Sequence, residues 1–281
     1  MTERISAATR VYAVLGDPVE HSLSPVVQNA GMRATGVDGV YTALRCNDAD
    51  LPGLMRGLAL AGGGGNVTLP HKEAAARALD VATPAVKRTG ACNTFWAEDG
   101  KLHGDNTDVD GFRGAVAALL TDRIWGGRVL LLGAGGAARA VIVALLDDGI
   151  EEVMLVNRTP ERARSLAGRA GDPRVRVVGD TSTLEDASVD LVVNATRLGL
   201  VPGDPLPVAI GALGSVGAVL DLVYGGDAVT PLVAEAREKG IKAADGAEML
   251  VRQGAAAFER WWDIPAPVDV MRQALAEARG V

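Results

Sequence analysis

The sequence predicts an α/β fold with largely parallel sheets, and three observations carry that expectation. Short apolar runs alternate with helix-forming runs from Val11 to about Leu120, the pattern of strands joined by helical crossovers. A polar, glycine-containing stretch from Thr121 to Gly127 then interrupts the pattern and reads as a link. Beyond it a continuous apolar strand, Arg128 to Leu132, runs straight into a glycine-rich turn that opens a helix. The 281 residues allow one large or two medium domains, and a hydrophobic content of 48% supplies a sizeable core.

Composition narrows the class of protein. A net charge of −7, with lysines and arginines scattered rather than clustered, argues against a nucleic-acid surface. Met1–Arg10 is polar and lacks the apolar stretch of a signal peptide. The most membrane-like window, Val129 to Leu146, is broken by the glycine turn and by Arg139, so no span is expected. Cys46 and Cys92 lie far apart without CxxC spacing, and His21, His71 and His103 show no metal-ligand spacing. A soluble cytoplasmic protein without disulfide, metal site or membrane partner is the expectation.

In chain order, Val11 to Leu15 reads as a buried strand ending at Gly16-Asp17-Pro18. In the following Ser22-Leu23-Ser24-Pro25, Ser24 suits a helix N-cap and Pro25 the first helical position. Capping does not account for Ser22. Two hydroxyls one residue apart beside helix amides suit a small anion such as a carboxylate. A helix to Thr35, a strand over Val40–Leu44 and a helix over Asp48–Leu60 follow; Gly62 to Gly65 reads as a flexible loop before a third strand containing Val67 and Leu69.

Asn66-Val67-Thr68-Leu69-Pro70-His71-Lys72-Glu73 then places Lys72 where a strand hands over to a helix running from Glu73 to Leu79. The partial positive charge of a helix start disfavours an exposed cation there by roughly 0.3–1 kcal/mol. Lys72 is therefore either a surface lysine tolerating a small penalty or a group that moves protons. After Thr83-Pro84, the run Gly90 to Trp96 is strand-like, Asp99-Gly100 is a turn, and Lys101-Leu102-His103 returns as a hairpin strand. Gly104-Asp105-Asn106-Thr107-Asp108 precedes a helix from Val109 to Leu120, with Asp108 a candidate cap.

The turn Gly133-Ala134-Gly135-Gly136-Ala137-Ala138 matches the G-x-G-x-x-A dinucleotide fingerprint, with a strand before it and a helix, Arg139 to Leu146, after it. The next strand, Val153 to Val156, ends at Asn157-Arg158-Thr159. An NAD-binding chain places an acid near this point; here stands Arg158, with Arg162 one turn on. Guanidinium groups suit a 2′-phosphate, so the cofactor expected is NADP. Val175–Val178, Leu191–Ala195 and Val219–Leu222 read as further strands, with Asn194-Ala195-Thr196 at a ligand-binding strand end and Tyr224 just past another. Pro202, Pro205 and Pro207 mark a loop, Thr230-Pro231 starts a helix, and Asp245 to Gln253 opens a long one. Trp261-Trp262 reads as a packing pair, and Val268–Ala278 as the last helix.

Taken together, these motifs resemble the shikimate dehydrogenase family. They are Ser22-Leu23-Ser24-Pro25, Asn66 to Lys72, Gly90-Ala91-Cys92-Asn93-Thr94, Gly104 to Asp108, Gly133 to Ala137, Asn157-Arg158-Thr159, Asn194-Ala195-Thr196 and Gly246 to Gln253, in family order over nearly the whole chain. The resemblance implies a two-domain α/β fold. Residues 1–107 and 246–281 would form the substrate domain, with a mostly parallel sheet, and 108–245 an NADP-binding Rossmann domain, the active site lying in the cleft between them. The implied reaction is reversible reduction of 3-dehydroshikimate by NADPH, with Lys72 and Asp108 as the catalytic pair. By the same resemblance Ser22, Ser24 and Tyr224 hold the substrate carboxylate, and Thr68, Asn93 and Gln253 the ring hydroxyls. Gly133, Ala134, Gly135, Gly136 and Ala137 would hold the pyrophosphate. Asn157, Arg158, Thr159 and Arg162 would hold the adenosine end, and Leu222 and Gly246 would lie near the nicotinamide. The implied partner is a small molecule, and the chain a monomer or homodimer. The alternatives are a quinate/shikimate dehydrogenase using NAD or NADP, and a non-catalytic ligand sensor on the same fold. Pro84 and Cys92 depart from the family pattern, which has an acid and a valine there, and Arg197 adds a charge of unassigned role.

Overall fold

The computed structural model describes residues 5–120, 126–179, 184, 187–201, 203–224 and 229–281. The expected link at Thr121–Gly127 lies mostly outside the described residues, as does Pro202. The chain divides into two compact units, Met1–Gly111 with Leu250–Val281, and Phe112–Met249.

The first unit is built on a six-stranded sheet in the order β2-β1-β3-β5-β6-β4. Its strands are β1 (Arg10–Gly16), β2 (Gly39–Arg45), β3 (Gly64–Val67), β4 (Val81–Ala82), β5 (Thr94–Glu98) and β6 (Lys101–Asp105). β1 runs parallel to β2 and β3, and β4 parallel to β6; only β5 opposes its two neighbours. The reversal follows from the Asp99-Gly100 turn, where both residues have positive φ (51° and 71°), as a tight two-residue hairpin requires. Helices α1 (Ser24–Thr35), α2 (Leu51–Leu60), α3 (Lys72–Ala78) and α4 (Pro84–Thr89) connect the strands, and α5 (Asp108–Leu119) follows the hairpin. The unit is completed by the C-terminal helices α9 (Ala247–Trp262), from Leu250 onward, and α10 (Val268–Arg279). α2 turns Leu51, Met55 and Ala59 inward at helical spacing onto Ala13, Leu15, Val67 and Phe95. Trp261 and Trp262 stack on Tyr12 at centroid distances of 4.8 and 5.3 Å, the packing role read for them.

Three local expectations are corrected. The glycine run is not a loop: Gly64 and Gly65 form the buried central strand β3, and Leu69 lies outside it, exposed. A Cβ on Gly63 would stand 1.9 Å from the Val11 carbonyl oxygen, and one on Gly65 2.1 Å from that of Ala13. Glycine is required because two flanking strands close on this backbone, which no local pattern displays. The first helix starts one residue early, with Leu23 at the N-cap and Ser24 as its first residue. The short β4 and α4, the latter capped by the Thr83 side chain, were not anticipated. Gly65→Ala is expected to destabilise this unit by at least about 3 kcal/mol through overpacking against backbone. Gly53→Ala, in α2 with nothing within 4 Å of its Cβ, is expected to be neutral or stabilising by about 0.5–1 kcal/mol. Urea unfolding of both variants checks the contrast.

The second unit holds six parallel strands in the order β12-β11-β10-β7-β8-β9. They are β7 (Arg128–Leu132), β8 (Glu152–Val156), β9 (Val175–Val177), β10 (Ser188–Asn194), β11 (Ser215–Asp221) and β12 (Lys242–Ala244). With helices α6 (Gly136–Asp147), α7 (Pro160–Ala170) and α8 (Pro231–Glu238) between them, this is the doubly wound order of dinucleotide-binding sheets. The continuous apolar runs are explained by burial on both faces, Val129 to Leu132 being at most 2% exposed. Strand order reverses between β7 and β10, so Gly133 and Asn194 emerge side by side at the switch point. Among the described residues no helix is long and apolar enough to cross a membrane.

Candidate active site

The topology of the first unit gathers its polar motifs at one end of the sheet. β1 and β3 are parallel, so Ser22 and Ser24, which follow β1, and Thr68 and Lys72, which follow β3, share the C-terminal end. β5 runs the other way, so Asn93 just before it returns to that end, and Asp108 arrives there after β6. Gly16 makes room: a Cβ there would lie 2.4 Å from the Thr68 methyl.

Four of the candidate residues are joined by hydrogen bonds. Lys72 Nζ donates to Asp108 Oδ2 at 2.6 Å, a charge-assisted contact between side chains only 15% and 6% exposed. Asn93 Nδ2 donates to Asp108 Oδ1 at 2.9 Å, with Thr107 Oγ1 at 3.0 Å and Gln253 Oε1 at 3.3 Å. Asp108 does not act as a cap. It is the first residue of α5, and its carboxylate faces Lys72 and Asn93. Ser22 Oγ accepts the Ser24 amide at 3.3 Å, so the two serines are linked through the start of α1.

Behind this group lies a buried polar network that the sequence reading passed over. Asn93 Oδ1 accepts from the Thr107 amide at 2.8 Å and from Thr94 Oγ1 at 3.0 Å. A backbone N–H can only donate, so it fixes the Asn93 oxygen toward Thr107 and its NH2 toward Asp108. Asn66 Nδ2 donates in turn to Thr94 Oγ1 at 3.0 Å, and the Tyr41 hydroxyl to Asn66 Oδ1 at 2.7 Å. The available signal was Asn66 itself, an amide in a run of otherwise apolar strand. His71, buried beside Lys72, is held by Asp48 at 2.5 Å and the Cys46 carbonyl at 2.9 Å, which fixes the first turn of α3.

The second unit carries the dinucleotide motif in the required setting. Gly133 has φ +108°, and a Cβ there would stand 2.8 Å from the Ala195 carbonyl oxygen, so only glycine makes the turn. Gly135 is the N-cap of α6, and a Cβ there would enter open space, leaving the backbone accessible to a ligand. Ala134, Gly136 and Ala137 are half-buried beside it at the helix start. At the end of β8, Asn157 Nδ2 donates to the Thr159 carbonyl at 2.8 Å and shapes the turn. Arg158 and Arg162 are exposed and form no ion pair among the described residues. A phosphate-accessible helix start, together with two guanidiniums that meet no carboxylate among the described residues, fits NADP. Gly246 presses on Leu222: a Cβ would lie 2.3 Å from the Leu222 oxygen. Tyr224, half-buried, follows β11 in this second unit.

Asp221, at the end of β11, is buried without a cation among the described residues. Burial pushes its carboxyl up to about 6, against hydrogen bonds from Thr230, Val223 and Asn194 that lower it, with the Asp245 charge raising it further. A folded value above the ordinary 3.8 means that stability present below about pH 4 is lost as pH rises through 6, about 3 kcal/mol by neutrality.

Family models match the chain in order: the shikimate dehydrogenase substrate binding domain over residues 14–95, shikimate / quinate 5-dehydrogenase over 115–198, and the shikimate 5'-dehydrogenase C-terminal domain over 246–276. The shikimate dehydrogenase (NADP(+)) of Moorella thermoacetica is 43% identical, covering 99% of this chain and 96% of that protein. The structure of shikimate 5-dehydrogenase from Thermus thermophilus in complex with NADP(H) and shikimate matches with a TM-score of 0.85, 38% identity and coverage of 96% and 100%. The Listeria monocytogenes shikimate 5-dehydrogenase in complex with shikimate and NAD matches with a TM-score of 0.86, 32% identity and coverage of 98% and 99%. A likeness in sequence and fold that runs from end to end, across the Lys72–Asp108 pair and the Gly133 turn alike, is more than a shared architecture, and the chain belongs to the shikimate dehydrogenase family.

Proposed function

We propose that this protein catalyses the reversible NADPH-dependent reduction of 3-dehydroshikimate to shikimate, a step toward chorismate and the aromatic amino acids. The observation that carries the reading is the Lys72–Asp108 contact at 2.6 Å, on the sheet end that also bears Ser22, Ser24 and Thr68. When bound, NADPH supplies the hydride. Negative charge then develops on the ketone oxygen, and the Lys72 ammonium stabilises it and donates the proton; in the oxidative direction the amine accepts that proton. Asp108 holds the ammonium in place and balances its charge. Asn93 Nδ2 reaches three acceptors with only two hydrogens. One of those contacts is therefore exchangeable for a substrate hydroxyl, and Thr68 and Gln253 serve the remaining ones. Ser22, Ser24 and Tyr224 take the carboxylate.

For the cofactor, Gly133 to Ala137 take the pyrophosphate, and Asn157, Arg158, Thr159 and Arg162 the phosphorylated adenosine end. Leu222 and Gly246 lie at the nicotinamide. The unit Met1–Gly111 with Leu250–Val281 acts as the substrate domain and Phe112–Met249 as the cofactor domain, boundaries within four residues of 1–107 with 246–281 and 108–245. The test is NADPH formation with shikimate and, separately, with quinate, each against NAD. Turnover with shikimate and NADP well above the other three pairs is expected. Comparable quinate or NAD turnover would overturn the specificity, and no turnover with any pair would leave a ligand sensor as the better reading.

A further inference from the structure

Among its described residues the cofactor unit carries one buried charge that the reaction does not use. Asp221 has no exposed surface and closes β11. Its Oδ1 accepts from Asn194 Nδ2 at 2.8 Å and from the Val223 amide at 3.0 Å, and its Oδ2 accepts from Thr230 Oγ1 at 2.7 Å. The three donors come from three segments: the last residue of β10, the turn carrying Leu222 and Tyr224, and the N-cap of α8. Each donor is itself tied to its own segment. Asn194 Oδ1 accepts from the Thr196 amide at 3.0 Å and hydroxyl at 2.7 Å, and Asn194 Nδ2 also reaches the Leu198 carbonyl at 3.1 Å. Thr230 Oγ1 caps the Val233 amide at 3.4 Å.

A buried carboxylate with no cation beside it among the described residues works against folding, and the Asp245 charge that acts on it is of the same sign. An asparagine would be the less costly occupant, and it could still accept from Asn194 and Val223. Its second terminal atom would be an NH2, which could meet Thr230 only by donating to Oγ1, already the acceptor of the Val233 amide, and the Thr230 hydroxyl hydrogen would lose this acceptor. The carboxylate is the group that joins the strand ends to the helix cap.

We propose that Asp221 is a positioning residue for the cofactor: it clamps the Asn194–Thr196 turn, the Leu222–Tyr224 turn and the start of α8 into one rigid edge at the C-terminal ends of β10 and β11. Doubly wound sheets seat their ligand along that edge. The proposal rests on the NADP-dependent reading given above.

Asp221→Asn separates this role from a merely structural one. KM for NADP is expected to rise about tenfold, the loss of roughly one buried charge-assisted hydrogen bond. KM for shikimate at saturating NADP is expected to rise less than the NADP KM, because among its proposed ligands only Tyr224 lies on the clamped edge. The melting temperature at neutral pH is expected to be unchanged or higher, since a buried charge is removed. Worse cofactor affinity without lost stability is the signature. An NADP KM within about twofold of wild type would overturn the proposal. Should the variant fail to fold, Thr230→Val and Thr230→Ser carry the test. The valine is expected to raise the NADP KM and the serine to leave it unchanged, and equal KM values for the two would likewise overturn it. Wild-type protein without NADP-dependent turnover would overturn the functional reading and this proposal with it; an active wild type with a normal Asp221→Asn overturns this proposal alone.

Discussion

Lys72→Ala is expected to lower kcat for shikimate oxidation by about 10³-fold or more, because on the proposed mechanism one change removes both the proton acceptor and the charge opposite the reacting oxygen. Its effect on the shikimate KM should be only a few-fold, since the proposed substrate ligands Ser22, Ser24 and Thr68 remain. Asp108→Asn should also fall steeply in kcat. It keeps an oxygen for one of the two contacts made by Lys72 and Asn93 but loses the charge that balances the ammonium. The two residues act as one unit, so the double variant should be scarcely worse than Lys72→Ala alone. Removing Lys72 also leaves a carboxylate 6% exposed without its cation, a change that destabilises buried pairs by about 3–5 kcal/mol. Rates should therefore be measured well below each variant's own melting temperature. Lys72→Ala with kcat near wild type would remove Lys72 from the chemistry.

The features that the sequence displayed are those whose cause is local. Pro70 ends one element and Glu73 begins another, so the place of Lys72 could be read without a partner. The Gly133 turn could be read because strand, glycines and helix are contiguous. What escaped is non-local. From spacing alone Asp108 looked like a cap, because a cap is a local explanation; its pairing with Lys72, 36 residues away, came only through the family resemblance. Gln253 meets Asn93 across 160 residues, and without the family resemblance no spacing rule would have paired them. Gly65 looked like loop because glycine is common in loops. Its reason is the Ala13 carbonyl on a neighbouring strand. Asp221 gave no signal, since an acid at a strand end is ordinary until its burial and its donors are known. The same limit explains Ser24, where a misplacement of one residue moved the capping role away from its side chain.

Arg158→Ala is expected to lower kcat/KM with NADP by about 30- to 100-fold while leaving NAD turnover unchanged or slightly improved. The site gives both the sign and the ceiling. β8 ends without an acid, so nothing there favours a ribose 2′-hydroxyl. Arg158 and Arg162 stand at that end exposed and unpaired among the described residues, so neither must abandon a carboxylate to receive a phosphate. Exposure also limits what each contributes, because water and salt screen the contact. The full change of preference is therefore expected only in the double variant with Arg162→Ala, with a switch in the NADP to NAD ratio of about 10²–10³. Raising ionic strength should weaken NADP binding in the wild type and have much less effect in the double variant. Arg158→Lys should recover part of the loss, as a point charge without the planar fork. The measurement is kcat/KM for both cofactors at two salt concentrations. An unchanged ratio in the double variant would mean that the 2′-phosphate is recognised elsewhere, and the absence of an acid after β8 would then be permissive rather than selective.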